Sequence, residues 1–113
     1  MNEEILKKYN ISFFKNLNGS KHPDGKTALS SYLYIWRQID DVDDFLIDID
    51  ICLNGNYGQL TDRYWNDMVF GLYGELTPDS LILSGPNGSN PNNIPLNDFK
   101  EILLSWRAFL SAE

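Results

Sequence analysis

A chain of 113 residues, 42% of them hydrophobic and including three Trp, six Tyr and six Phe, has the apolar content for a packed core and is not disordered by composition. Its net charge of −7 repels phosphate backbones, which argues against direct nucleic-acid binding. No apolar run approaches the roughly 20 residues of a membrane span, and one cysteine, Cys52, leaves no intrachain disulfide to form.

The length suits one domain spanning 1–113, and the lone thiol fits a reducing compartment. The opening MNEEILKKYN carries acids and no apolar signal core, so a cytoplasmic protein is expected.

Over residues 3–17, Ile5, Leu6, Tyr9, Phe13, Phe14 and Leu17 fall on one helical face. A turn-rich stretch, NGSKHPDGK, covers 18–26. Thr27 is a plausible N-cap for a helix with Ala28, Leu29, Tyr32, Leu33, Trp36 and Ile39 inward.

Residues 40–53 are ambiguous. Phe45, Ile47, Ile49, Ile51 and Leu53 alternate as in a strand, while Val42, Phe45, Leu46, Ile49, Cys52 and Leu53 make a helical stripe. The helix separates charge from core better and is favoured. It puts Asp40, Asp41, Asp43, Asp44, Asp48 and Asp50 outward, and Gly55 in LNGNYG stops it.

Thr61 and Asp62 look like a further helix start, with Tyr64, Trp65, Met68, Val69, Leu72 and Leu76 as its stripe; Gly71 and Gly74 weaken it. In TPDS, Thr77 is a cap residue with Pro78 at a first helical position. LILSG is too short to decide. Residues 85–97, rich in Pro, Gly and Asn, read as an irregular loop. The last helix runs from about Pro95 to Ser111 on Leu96, Phe99, Leu103, Trp106 and Leu110. The expected fold is mostly α, a single compact domain of four to five amphipathic helices. The alternative is α+β, with short strands near 45–53 and 80–84.

Catalytic readings find little support. The only histidine, His22, lies in a polar loop and Cys52 in an apolar element, and no G-x-S-x-G elbow is present. Asp40, Asp41 and Asp44 spell D-D-x-x-D, which resembles the diphosphate-binding motif of prenyl synthases, but a second acidic motif is missing. The calcium-loop pattern from Asp48 fails at Cys52 and Leu53. Phosphate-binding glycine loops are absent as well. No enzyme, metal or cofactor is expected.

The distribution of charge is more informative. Between Gln38 and Asp67 stand eight acids and one base, Arg63, whereas the rest of the chain balances eight acids against eight bases. A solvated face and a partner surface both explain such a run. The aromatics divide similarly: Trp36, Trp65 and Trp106 sit on apolar stripes and read as core, while Tyr34, Tyr57 and Tyr73 fall off or at the edge of those stripes, as interface tyrosines do. The candidate partner-binding residues are Asp40, Asp41, Asp43, Asp44, Asp48, Tyr57, Asp62 and Asp67.

The small size, local acidity and closing IPLNDFKEILLSWRAFLSAE resemble bacterial immunity proteins of the polymorphic-toxin type, including those of contact-dependent growth inhibition. The resemblance covers about the last 20 residues and the general charge pattern. It implies a single-domain cytosolic inhibitor of one cognate toxin, often a nuclease with a basic active site. The charge pattern by itself leads to a similar expectation: an acidic surface with interspersed aromatics suits a basic cleft, which it would occlude. The alternative is a non-inhibitory interaction module or small subunit.

Overall fold

The computed structural model describes residues 1–67 and 71–112. In chain order these form α1 (Glu3–Lys8), β1 (Ser12–Lys15), β2 (Lys21–Asp24), α2 (Ala28–Ile35), α3 (Ile39–Leu53), β3 (Tyr73–Leu76), β4 (Ser80–Ser84), β5 (Asn92–Pro95) and α4 (Leu96–Ser111). Single 3₁₀ turns occupy Tyr57–Gln59 and Pro86–Gly88. The fold is therefore α+β, and the expectation of a mostly helical domain is overturned. Strands β1 and β2 form an antiparallel hairpin, and β3, β4 and β5 an antiparallel sheet in that spatial order.

The predicted 3–17 helix ends at Lys8 because of Asn10. Asn2 caps the start, its Oδ1 accepting from the Ile5 N–H at 3.2 Å, with acids in the first turn and Lys7 and Lys8 in the last. Asn10 then adopts a left-handed φ of 56°. Its N–H donates to the Lys7 carbonyl, and the Ile11 N–H to that of Leu6. This is a Schellman closure, with asparagine where glycine is commonest. Past it the side chains alternate: Phe13 packs at a tilt against Trp106 and Phe109, and Phe14 points the other way, stacking on His22.

A second correction concerns 61–76, where no helix forms among the described residues. Tyr64 bridges Glu75 and Asp67 bridges Leu72, both antiparallel, so residues 64–67 lie along the free edge of β3. Gly71 has a φ of 67°, outside the right-handed helical region. Trp65 and Leu72 satisfy a helical stripe and an extended edge equally well; Met68 and Val69 of that stripe lie outside the described residues. Thr77 caps no helix either. Its hydroxyl accepts from the Asp79 and Ser80 N–H groups and closes the β3–β4 turn. Residues 80–84 form a strand, whereas 45–53 lie in a helix. The 85–97 segment, read as irregular, contains β5.

The core lies between the helices and one face of the three-stranded sheet. Leu29, Tyr32 and Leu33 come from α2, Val42, Phe45, Ile49 and Cys52 from α3, Leu76, Leu81, Leu83 and Ile94 from the sheet, and Phe99, Ile102, Leu103 and Trp106 from α4. Rings run through it. Trp65 stacks flat on Phe45 at 4.1 Å, and Trp36 meets both edge-on.

Candidate partner-binding surface

α3 carries the acidic run because its 3.6-residue period turns Val42, Phe45, Ile49 and Cys52 into the core. The opposite ridge follows a 4-3-4 spacing of Asp40, Asp44, Ile47 and Ile51. Asp40, Asp41 and Asp44 are exposed, and Ile47 retains 58% of its accessible surface, so an aliphatic side chain sits in water among carboxylates.

The two flanks of this ridge differ. Towards α4, Asp43 takes two hydrogen bonds from Arg107, from Nε at 2.5 Å and from the guanidinium end at 3.2 Å, and Asp50 pairs with Lys100 Nζ at 2.8 Å. The Arg107 guanidinium holds the Asp43 carboxyl below the usual carboxylate range. On the other flank Asp48 accepts from the Trp65 indole Nε1–H at 3.1 Å. Partial burial pushes the Asp48 carboxyl up; the indole hydrogen bond opposes this, and the nearby charges of Asp44 and Asp62 add to it. Asp44, Asp48 and Asp62 thus form one group of mutually repelling charges. No ion pair links them to a cation among the described residues.

Tyr57, Asp67 and Asp43 stand apart from this group, while Asp62 belongs to it through a neighbouring turn. The Tyr57 hydroxyl donates to the Leu76 carbonyl at 3.0 Å, so Tyr57 fastens its loop to β3. Asp62 accepts from the Tyr64 N–H at 2.9 Å in a tight turn. Asp67 exchanges backbone hydrogen bonds with Leu72 at the sheet edge. Asp43 is engaged by α4. The structure therefore brings together Asp40, Asp41, Asp44, Asp48 and Asp62, and leaves Asp43, Tyr57 and Asp67 in other roles.

Two features were missed from sequence. Ile47 falls on an apolar face only in the strand reading, and the helix reading gives it no role. Tyr64, assigned to a helix stripe, is instead 47% exposed beside Arg63, whose guanidinium lies 4.9 Å from its ring and pairs with Glu75 at 3.2 Å. His22 stacks between Phe14 and Tyr34, with Nε2 3.1 Å from the Asn16 amide, while Cys52 is buried in α3 with its thiol pushed up by desolvation. Among the described residues no group of His, Cys, Asp or Glu could hold a metal ion, and no helix is long and apolar enough to cross a membrane.

Comparison with known proteins returns no matching family model, no matching curated protein and no matching solved structure.

Proposed function

We propose that this chain is an immunity-type inhibitor that binds a cationic toxin, a nuclease by preference, and neutralises it by covering its phosphate-binding cleft. The observation that carries the reading is the α3 ridge, where Asp40, Asp41 and Asp44 are exposed without a cation partner among the described residues and lead up the helix to the exposed Ile47. Carboxylates left free by the fold keep their full attraction for a basic surface and accelerate encounter with it. An aliphatic side chain at the centre of such a ridge supplies apolar burial once the charges have aligned.

The test is co-expression with the product of the reading frame directly upstream of this gene. Rescue from toxicity and loss of nuclease activity on titration with the purified chain are expected. Replacing Asp40, Asp41 and Asp44 together by Asn should slow association about tenfold or more at low salt and flatten its salt dependence. Unchanged association in that variant would overturn the acidic-ridge account. Binding that leaves the partner's activity intact would favour a non-inhibitory interaction module instead.

A further inference from the structure

Resting on that reading, we infer that the partner's footprint extends from α3 over the 57–64 turn onto the outer face of the three-stranded sheet, where Tyr64 and Tyr73 anchor it. The first argument is area. α3 has 15 residues, so its exposed ridge is roughly 22 Å by 11 Å, about 250 Å² in projection. A stable complex covers about 800 Å² on each partner. The ridge can steer a partner but is too small to hold one.

Charge decides which neighbouring surface completes the contact. On the α4 side Arg107 and Lys100 neutralise Asp43 and Asp50, so that flank offers a cationic partner no net attraction. On the other side Asp62 continues the negative group from Asp48. It lines a groove of about 380 Å³ together with Tyr57, Leu60, Tyr64 and Arg63, whose charge Glu75 offsets. Tyr64 also lines a second concavity, about 290 Å³, on the outer sheet face with Tyr73, Ile82, Ser84 and Asn87. The chain thus provides a continuous path from carboxylates to a neutral face.

That neutral face has a composition suited to holding. Alternation along β3 and β4 sends Leu76, Leu81 and Leu83 inward and Tyr73, Glu75, Ile82 and Ser84 outward. The charge of Glu75 is matched by Arg63, so the face presents tyrosine, serine and asparagine with no net charge. Tyrosine brings large rigid contact area at low entropy cost, and Ser and Asn adapt their hydrogen bonds to the partner. The acidic ridge therefore governs how fast the complex forms, and the tyrosine face how long it lasts.

Stopped-flow and dissociation measurements with the upstream gene product separate the two. Tyr64→Ala combined with Tyr73→Ala should raise the dissociation rate about tenfold or more, leaving association and its salt slope unchanged. Ser84→Arg, which places a bulky cation on the same face, should likewise raise the dissociation rate and decides the matter if the double variant melts early. Unchanged dissociation in Ser84→Arg overturns the footprint; slowed association of the Asp40/Asp41/Asp44→Asn variant in that case leaves the inhibitor reading standing. If neither set of variants alters binding, both fall.

Discussion

The Tyr32 hydroxyl passes directly over Gly74: a methyl group at that glycine would stand 2.1 Å from the Tyr32 oxygen. The hydroxyl goes on to donate to the Trp65 carbonyl at 2.6 Å, and so joins α2 to the edge segment beside β3. Gly74 is needed for the space it leaves, since its backbone is ordinary strand. Gly74→Ala should cost about 3 kcal/mol by overpacking, and Tyr32→Phe about 1–2 kcal/mol through the unpaired carbonyl. The double variant should cost less than the sum, because removing the hydroxyl removes the nearest clash. Urea unfolding of the four proteins measures this, and strict additivity would contradict it.

Asp48 gives a pH dependence of unusual sign for a carboxylate. Its folded pKa is raised, so the folded chain takes up its proton more readily than the unfolded chain does. The cost of keeping it ionised is present at neutral pH and is relieved as pH falls through the folded value towards the ordinary one. Asp48→Asn retains an acceptor for Trp65 and drops the charge. It should melt higher than the parent at pH 7, and the gap should close as pH falls below the ordinary aspartate range. A gap that widens on acidification would refute the assignment.

Asp43 and Asp98 work in the opposite direction. Arg107 lowers the first, and hydrogen bonds from the Tyr9 hydroxyl and Lys8 lower the second. Their contribution to stability is complete above the unfolded carboxylate value and is lost as pH falls through the depressed folded values. Carboxyl titration followed by NMR should place both midpoints below the ordinary aspartate range. Arg107→Gln should return Asp43 to that range and leave Asp98 where it was.

At Asn10 the backbone itself is the test. Its φ of 56° suits asparagine and glycine and strains a β-branched residue. Asn10→Val should lower stability by about 1–2 kcal/mol, and Asn10→Gly by much less. Equal stabilities in chemical denaturation would mean that the α1 terminus is not closed in this way.

These sites also show where sequence reading succeeds and fails. α3 and α4 were legible because each sustains a helical apolar stripe over 15 or 16 residues, long enough to outweigh the alternation of Phe45, Ile47 and Ile49. The 3–17 segment failed at one position, since Asn10 breaks the helix through its own conformation without disturbing the spacing of Ile5, Tyr9, Phe13 and Phe14. At 61–76 the glycines look like weak points of a helix in sequence, whereas Gly71 marks a left-handed turn and Gly74 a close approach by Tyr32. Of the candidate surface, the outward placement of Asp40, Asp41 and Asp44 follows from helical geometry alone. The quenching of Asp43 and Asp50 does not, because Arg107 and Lys100 lie far along the chain and reach α3 only through its packing on α4.

That one-sided pairing has a consequence for the molecule in motion. With cations along one side of α3 and bare carboxylates along the other, the helix is electrically lopsided across its width as well as along its axis. In the field of a basic protein it would experience a torque, turning its 57–64 side forward before any atoms touch. Exchanging Arg107 and Lys100 for neutral residues would increase the overall negative charge and yet blunt that orientation.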